Sequence, residues 1–460
     1  MSARFWSGAR ASGYRSGSER RRHRSIVRDR GAPLYSTLGR PLPLRGALEE
    51  GHTAVTTELE WLPGGGVTSP SGWRAGAVDA GIKGYGDEPR RDLAILASAT
   101  PCAGAGVFTR NSITGAAVSL TRERLANGVA QALLVNSGNA NTVTGAQGER
   151  DARRMTALAA EHVGVAPESM LLASTGVIGR PMPMDLVERG LPAIALSPDG
   201  GHDFARAIMT TDSAEKQRAV RFTAAGHQYT VGGVAKGSGM IHPDLATCFC
   251  FLTTDAPADP QWLRSTLTAV ADVSINMIDV DMDTSTSDTM LLLANGAAGA
   301  DPVAARHPAA RALHEALEAV AVALARDLAR DGEGARTLIE VVVRGAASRE
   351  DARRAARTVS SSPLVKTMIT GRDPNWGRVL MAVGRSGANV DERTTSVWIG
   401  DHCTLDRGTP TDVDLTQVSA AMSGDEVAIR VDLGRGGETA TAWGCDLTAD
   451  YVRINAEYTT

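Results

Sequence analysis

From Val67 onward, the chain alternates short apolar runs with segments that carry an apolar stripe at helical spacing. Residues 132–135 and 171–173 are apolar and end in clusters of Gly, Asn, Ser and Thr, which is typical of buried strands that lead into polar loops. The segment between them has apolar residues on one helical face: Met155, Leu158, Ala159 and Val163. The alternation predicts an α/β or α+β fold with an extensive sheet core.

The second half of the chain continues this pattern. A longer helix is predicted by the spacing of Leu313, Leu317, Val320, Leu324 and Leu328. The Asp-Gly-Glu-Gly sequence at 331–334 should end that helix. Further strands are predicted at 338–343, 397–399 and 427–433.

Residues 1–66 differ from the rest of the chain in composition. The first 50 residues contain eleven arginines, no lysine and four acidic residues, whereas the remainder has eleven more acidic than basic residues. Because this Arg-rich extension has no apolar period, it is expected to be disordered. Three interpretations stay open: a dispensable extension upstream of the true translation start, an organelle transit peptide, or a binding segment.

The acidic body makes some classes of partner unattractive. It is a poor ligand for nucleic acid or an anionic membrane, so neither is expected as a partner. No run of about 18 apolar residues offers a membrane span. Five scattered cysteines suit a reducing compartment, so the expected location is cytoplasmic, or the mitochondrial matrix if the extension is a transit peptide.

The segment 231–255 carries the strongest chemical signal. Its glycines lack the GxxxxGK[ST] spacing of a phosphate loop. A strand of period two follows the glycines. Phe249 and Phe251 lie on one face of this strand, and Cys248 and Cys250 lie on the other. Thr247 lies where the glycine-rich loop enters this strand, a position that suits a nucleophile. The same position is ordinary for a β-branched strand residue, so the residues alone leave both interpretations open.

Two acidic or cysteine patterns could imitate metal sites. Asp279, Asp281 and Asp283 alternate along an extended run, but their hydroxyl-rich neighbours favour structural hydrogen bonding. Cys248 and Cys250 have no second cysteine or histidine pair at zinc spacing. No metal is therefore expected.

Ten blocks of sequence together resemble the glutamate N-acetyltransferase/ornithine acetyltransferase family of the arginine pathway. The blocks are 106–111, 134–141, 173–179, 207–212, 236–247, 284–288, 331–334, 364–367, 373–378 and 455–460. The resemblance runs from about residue 67 to residue 460. It implies an α-β-β-α sandwich with a smaller C-terminal region.

The resemblance implies that the chain cleaves itself between Ala246 and Thr247. The Thr247 hydroxyl would attack the Ala246 carbonyl, and water would release the resulting ester. An alpha chain of residues 67–246 and a beta chain of residues 247–460 would result. The freed α-amine of Thr247, with an ordinary pKa of about 7.7–8.0, would serve as base for its own hydroxyl. Cys248 is the rival nucleophile by position.

The resemblance also implies a reaction and a set of site residues. Thr247 would take the acetyl group from N2-acetyl-L-ornithine and pass it to L-glutamate. Thr175 and Gly176 match the oxyanion hole of the family. The residues that match substrate contacts are Thr210, Lys236, Thr247, Glu333, Asn455 and Thr460.

Three other polar features have less defined roles. Asn136, Asn139 and Asn141 either order the loop behind the oxyanion hole or are ordinary turn residues. His242 is expected in a loop without a chemical role. Residues 373–378 are expected to form a structural turn near the site.

The implied partners are the two small substrates and the two fragments of the chain, assembled as two or more copies of each. No cofactor is expected. The sequence leaves open whether acetyl-CoA is a second acetyl donor, and whether the enzyme serves arginine supply or secondary metabolism. One rival is a self-cleaving N-terminal-nucleophile amidase or aminopeptidase, which would pass the acyl group to water. The other is a non-enzymatic protein whose extension binds nucleic acid.

Overall fold

Two β-sheets form the framework of the protein, and a computed structural model describes residues 57–84, 90–242 and 248–457. Strands are numbered in chain order across both sheets. The larger sheet has nine strands: β1 (Glu60–Trp61), β2 (Trp73–Val78), β3 (Leu93–Phe108), β4 (Val129–Asn139), β5 (Met170–Val177), β6 (Lys216–Ala224), β7 (His227–Lys236), β8 (Phe249–Thr254) and β10 (Thr289–Ala294). The smaller sheet has seven: β9 (Ile278–Asp279), β11 (Leu338–Ala346), β12 (Ser396–Ile399), β13 (His402–Asp406), β14 (Thr409–Pro410), β15 (Glu426–Asp432) and β16 (Glu438–Cys445).

Eleven α-helices accompany these strands within the described ranges. They are α1 (Ala116–Arg124), α2 (Gly145–Val163), α3 (Met184–Gly190), α4 (Gly201–Ile208), α5 (Pro260–Val273), α6 (Ala310–Arg330), α7 (Arg349–Ser360), α8 (Pro363–Gly371), α9 (Trp376–Gly384), α10 (Leu415–Ala421) and α11 (Ala449–Glu457). The predicted α/β class is confirmed. The predicted strands appear as β4, β5, β11, β12 and β15, and the predicted helices appear as α2 and α6.

The nine-stranded sheet folds over so that its two halves face each other. Its strand order is β1-β6-β7-β8-β10-β3-β4-β5, with β2 paired to β3. The long strand β3 joins the halves: residues 93–97 pair with β2 and β4, a register shift follows, and residues 103–108 pair with β10. One buried cluster contains side chains from both halves and from α4. Bulges and register shifts of this kind let a sheet bend.

Helices cover the outer face of each half, which gives the α-β-β-α order. Because successive strand residues point to opposite faces, Leu133 enters the shared core while Leu134 packs outward with α2 residues such as Met155. On the other half, Phe251 enters the shared core and Leu252 packs outward with α5 and α6. The faces predicted for Phe249 and Cys248 are confirmed by the same alternation.

Helix α6 links the sandwich to the smaller sheet. Its apolar stripe, from Leu313 to Leu328, is buried. It contacts β6 and β7 of the larger sheet and β9, β11 and β16 of the smaller one. Helix α7 packs on β11 and β16 through small residues such as Ala352 and Ala355. The smaller sheet therefore forms the C-terminal region and, through α6, lies against the half of the sandwich that contains β6 and β7.

The boundary expected for the N-terminal extension is wrong by about ten residues. Residues 60–61 form β1, which pairs antiparallel with β6, and the Leu62 amide donates to the Ala219 carbonyl. Thr57 donates hydrogen bonds to Glu315 on α6. This short strand lacked an apolar signal because both of its side chains are exposed. The expected disorder of residues 1–56 lies outside the described residues.

A helix that crosses a membrane needs about 20 consecutive, mainly apolar residues. None of the helices in the described ranges is both long and apolar enough to cross a bilayer.

Candidate active site

Three of the predicted site residues meet at one end of the folded sheet. The Lys236 ammonium donates hydrogen bonds to the Thr175 hydroxyl at 2.8 Å and to the Thr210 hydroxyl at 3.5 Å. Lys236 is the last residue of β7, Thr175 lies near the end of β5, and Thr210 follows α4. The folding of the sheet brings these segments together between its two halves.

Lys236 is a buried cation. Its side chain is buried at the end of β7, and Nζ lies 5.3 Å from the centre of the Phe249 ring. Burial lowers the pKa of Lys236, because the charged form loses its hydration, while Asp212 and Asp288 partly oppose this effect. The β7–β8 register pairs Lys236 with Phe249, two residues after Thr247 in the sequence. The ammonium is therefore held beside the first residues of β8.

Thr175 and Gly176 lie where β5 runs parallel to β4. The register pairs Thr175 with Ser137, and Gly176 with Gly138. Gly176 has a φ of +125°, and a β-carbon there would lie 2.3 Å from the carbonyl carbon of Gly138. Only glycine fits this close approach of two strands. The predicted oxyanion-hole pair thus occupies a rigid strand end beside Lys236.

Asp212 connects two of these segments through one carboxylate. It accepts hydrogen bonds from the Thr210 amide at 3.0 Å and from the Gly237 amide at 2.6 Å. Burial disfavours its charged form, but the charges of Lys216 and Lys236 outweigh this effect and lower the pKa of Asp212. The carboxylate is therefore ionised at neutral pH and holds the backbone beside Thr210 and Lys236.

Glu333 and Asn455 meet next to the same segment. The Glu333 amide donates to the Ser238 carbonyl at 2.8 Å, and its carboxylate accepts from the Asn455 side chain at 2.8 Å. A β-carbon at Gly239 would lie 2.6 Å from the Glu333 carboxyl group, so that group rests on the glycine-rich loop. Asn455 lies on α11, which shows that the chain is ordered here through Glu457. Thr460 lies outside the described residues.

Ala246 and Thr247 also lie outside the described residues, but both flanks of their segment are described. On one side, Asp281 accepts from the Met240 and Ile241 amides at 2.6 and 2.9 Å. On the other side, Cys248 is buried and its peptide carbonyl accepts from the Thr289 amide at 3.0 Å. The segment of the expected cleavage is thus anchored at both ends.

Burial makes Cys248 a poor rival nucleophile. It raises the pKa of the Cys248 thiol well above its usual range, and the nearby acidic groups and Cys250 act in the same direction. The thiolate is the reactive form of cysteine, so this environment disfavours its use.

His242 is part of a structured polar contact. Its Nδ1 lies 2.8 Å from Asp279, whose other carboxylate oxygen lies 2.9 Å from Lys366. The expected structural role of Asp279 and Asp281 agrees with these hydrogen bonds. Among the described residues, no group of three or more His, Cys, Asp and Glu side chains is arranged to hold a metal ion.

The asparagines and the 373–378 motif organise turns. Asn136 donates to the Asn139 carbonyl at 2.8 Å, and the Asn139 side chain donates to the carbonyls of Arg180 and Pro181. These bonds join the loop after β4 to the loop after β5. Residues 373–375 lie in the turn between α8 and α9, and residues 376–378 begin α9. Arg378 donates to the Leu364 carbonyl on α8 at 3.1 Å.

Sequence reasoning missed two buried titratable residues near Lys236. Burial lowers the pKa of Lys83 to about 8, with Asp92 opposing the effect and Lys236 adding to it. Asp288 is buried, its Oδ2 has no hydrogen-bond partner in the described part of the chain, and burial raises its pKa well above the usual range. Asp288 belonged to one of the ten blocks, whereas Lys83 had no local signal.

Comparisons with known proteins agree on one family. The sequence model of the ArgJ family matches residues 74–460. The arginine biosynthesis bifunctional protein ArgJ of Symbiobacterium thermophilum is 52% identical over 404 residues, which are 87% of this chain and 100% of that protein. The protein of the same name from Dehalococcoides mccartyi is 46% identical over 406 residues, with 88% of this chain and 100% of that protein covered.

A solved structure matches part of the chain. The crystal structure of the arginine biosynthesis bifunctional protein ArgJ from Bacillus halodurans is 43% identical, covers 46% of this chain and 98% of that chain, and has a TM-score of 0.44. The family model and the two full-length relatives cover nearly all of the sequence after the extension, and on that basis this chain belongs to the ArgJ family.

Proposed function

We propose that this protein is a glutamate N-acetyltransferase/ornithine acetyltransferase of arginine biosynthesis that acts in the cytoplasm. It cleaves itself between Ala246 and Thr247, and the new N-terminal Thr247 moves an acetyl group from N2-acetyl-L-ornithine to L-glutamate. Membership of the ArgJ family supports this proposal, since the relatives are named as bifunctional proteins of arginine biosynthesis.

The observation that carries the proposal is the meeting of Lys236, Thr175 and Thr210 within hydrogen-bond distance. These residues come from three separate segments that the sequence resemblance had each matched to a site role. A buried ammonium suits the α-carboxylate that both amino-acid substrates share. Glu333, with Asn455 beside it, supplies a carboxylate for the side-chain ammonium of ornithine.

Self-cleavage would begin with attack of the Thr247 hydroxyl oxygen on the Ala246 carbonyl carbon. The peptide C–N bond breaks as the ester C–O bond forms, and the proton moves from the hydroxyl to the new amine. Water then hydrolyses the ester, which leaves Ala246 as a carboxylate and Thr247 with a free amine and hydroxyl. No separate Ser-His-Asp triad is required, because one residue supplies both nucleophile and base.

Acetyl transfer then takes two matched half-reactions. The Thr247 amine accepts the hydroxyl proton while the oxygen attacks the acetyl carbon, and the departing ornithine nitrogen takes that proton. In the second half, the glutamate amine attacks the acetyl ester, gives its proton to the Thr247 amine, and the hydroxyl is restored. Thr175 and Gly176 would stabilise the oxyanion in both halves, where loss of one donor typically costs about 100- to 1,000-fold in rate.

The finer features of the enzyme follow from the same proposal. The working unit would contain an alpha chain that ends at Ala246 and includes β1, and a beta chain of residues 247–460, with two or more copies of each. Acetyl-CoA is a second donor to be tested, and its use would let the enzyme make N-acetylglutamate afresh as well as recycle the acetyl group.

Intact-mass analysis and a transfer assay test the proposal. Wild-type protein should give two masses that divide at Thr247, Thr247→Ala should give one, and Cys248→Ala should behave as wild type. Purified wild type should form N-acetylglutamate from N-acetylornithine and glutamate, with parallel lines in double-reciprocal plots. A single wild-type mass would overturn the cleavage. Acetate release that does not depend on glutamate would instead indicate an amidase.

A further inference from the structure

Three charged side chains, two of them buried, form an ion cluster beside the candidate site. Lys216 Nζ lies 2.6 Å from Asp212 Oδ1 and 2.6 Å from Asp331 Oδ2. The side chains of Lys216 and Asp212 are 3% and 0% exposed, and that of Asp331 is 15% exposed. Asp212 and Lys216 precede the proposed cleavage site in sequence, whereas Asp331 follows it, so the cluster spans the two proposed fragments.

Opposite charges within the cluster offset the cost of burying its charged groups. Burial opposes the charge on Lys216, but Asp212 and Asp331 outweigh burial and raise the pKa of its ammonium. Lys236 supplies a second positive charge near Asp212. The cluster therefore favours the charged forms of Lys216 and Asp212.

Such a cluster is a costly way to gain stability. Each buried charge loses its hydration, and a buried ion pair often stabilises a fold no better than well-packed apolar residues. What the pair provides instead is a fixed geometry, because each charged atom has only a few acceptable partner positions. The contacts of the three residues therefore indicate what that geometry serves.

Asp212 and Asp331 each hold a segment that carries a proposed substrate contact. Asp212 accepts from the amides of Thr210 and of Gly237, the residue after Lys236. Asp331 accepts from the amide of Ser213 at 3.0 Å and from its hydroxyl, and it lies two residues before Glu333.

The two segments are also tied directly, since the Glu333 amide donates to the Ser238 carbonyl. Lys216 joins the two carboxylates. One cluster thus sets the relative positions of Thr210, Lys236 and Glu333.

We propose that Asp212, Lys216 and Asp331 act as positioning residues that hold the amino-acid binding groups of the two fragments in register. This inference rests on the proposed function. In this proposal the three residues act through Lys236 and Glu333. They fix the distance between the ammonium of Lys236 and the carboxylate of Glu333, which must match the length of the amino-acid substrate.

Loss of the cluster should affect binding more than chemistry. A shifted Lys236 or Glu333 would weaken contacts made equally in the ground state and the transition state, which raises KM with kcat little changed. A merely structural role would instead reduce the amount of active enzyme, which lowers the apparent kcat and leaves KM unchanged. The KM-against-kcat split therefore separates the two roles.

The test uses the full-length protein with Asp331→Asn and Lys216→Met, and with Arg218→Met as the matched control. Arg218 pairs with Asp327 at 2.8 Å, so this control also breaks an ion pair between β6 and α6, but it touches none of the proposed substrate contacts. Cleavage of each variant is checked by mass, and kcat and KM are measured for N-acetylornithine and glutamate.

We expect Asp331→Asn and Lys216→Met to raise KM by about ten- to hundredfold for both substrates, with kcat changed by less than about threefold. Arg218→Met should leave both constants near wild type. If a cluster variant does not yield folded protein, Ser213→Ala removes only a contact to Asp331 and should raise KM in the same direction. Cluster variants whose KM values match those of Arg218→Met would overturn the positioning role. Wild-type protein without acetyl transfer would overturn the proposed function itself.

Discussion

The Lys236 ammonium lies 2.8 Å from the Thr175 hydroxyl, although four strands separate β7 from β5 in the sheet order. In a flat sheet, five strand spacings of about 4.8 Å would keep β7 and β5 about 24 Å apart. The contact exists because the nine-stranded sheet folds over, with β3 passing from one half to the other. The site therefore depends on the curvature of the sheet as much as on the identity of its residues.

Removal of the Lys236 charge should weaken the handling of both amino acids. Lys236→Met keeps the length of the side chain and loses the ammonium that we assign to the shared α-carboxylate. We expect kcat/KM to fall for both N-acetylornithine and glutamate. The fall should correspond to a loss of about 2–5 kcal/mol of transition-state stabilisation. Steady-state kinetics measures this loss, with Arg221→Met, a half-exposed cation on β6, as the control. A loss confined to one substrate would contradict the assignment.

Lys236 also predicts an alkaline limit to activity. Because burial lowers the pKa of Lys236, its ammonium form is lost at a lower pH than that of an ordinary lysine, whose pKa is 10.5. As pH rises, wild-type kcat/KM should therefore decline as the Lys236 ammonium is lost, in addition to any change caused by titration of the Thr247 amine. A pH profile of Lys236→Met should lack that limb, and identical profile shapes would rule out Lys236 as its source.

Gly176 should tolerate no side chain, for a reason that can be separated from backbone strain. Gly176→Ala would place a β-carbon against the backbone of Gly138, whereas Gly179 has a φ of +80° and no atom within 4 Å of the position that a β-carbon would take. Gly179→Ala should cost about 1–2 kcal/mol from the left-handed conformation. Gly176→Ala should cost about 2–6 kcal/mol, because the clash adds to the strain.

Urea unfolding in an uncleaved Thr247→Ala background would compare the two variants as single chains. Gly176→Ala in the cleavable chain should also lose acetyl transfer. Equal losses of unfolding free energy at the two positions would argue against the close approach of β4 and β5.

The elements that the sequence predicted were those with a local apolar pattern. The runs at 132–135 and 171–173 became β4 and β5, and the stripe from Leu313 to Leu328 became α6. The two-residue strand β1 could not be predicted in this way, because its side chains are exposed and it forms only through pairing with β6.

The sequence predicted the residues of the candidate site but not the residues that hold them in position. Thr175, Thr210 and Lys236 lay in blocks that resemble a known family, so their roles could be proposed before their contacts were known. The bond between Lys216 and Asp331 joins residues that are 115 positions apart. A contact between residues so distant in sequence cannot be predicted from a local sequence pattern. Lys83 is similar, since only its burial in the folded protein lowers its pKa.

Cleavage should not separate the two fragments. Strand β7 of the proposed alpha chain pairs with β8 of the proposed beta chain over six residues. Strand β3 of the alpha chain likewise pairs with β10 of the beta chain over six residues. Helix α6 also packs on β6 and β7. Wild-type protein should therefore show two bands after denaturation and one complex containing both fragments in native mass spectrometry. Free fragments under native conditions would contradict this expectation.

Asp288→Asn should change how stability depends on pH. Burial raises the pKa of Asp288 well above its ordinary value of 3.8, with Lys236 opposing the effect only in part. Between 3.8 and the pKa in the folded state, the native protein binds more protons at this group than the unfolded chain. Its contribution to the unfolding free energy therefore falls as pH rises through this window. Asparagine cannot ionise, so the variant should lack this decline and gain stability relative to its parent from about pH 5 to about pH 8.

Urea unfolding at about pH 5 and about pH 8, again in the Thr247→Ala background, measures the stability difference between the Asp288→Asn variant and its parent. Asp391→Asn is the control, because hydrogen bonds and charge from Arg393 lower the pKa of Asp391 to about 2. That carboxyl is ionised in both the native and unfolded states throughout this pH range, so its variant should differ from the parent by the same amount at both pH values. If the stability difference for Asp288→Asn is the same at both pH values, as it is for the control, Asp288 is ionised in the native protein. The buried carboxyl would then need a cationic partner closer than Lys236.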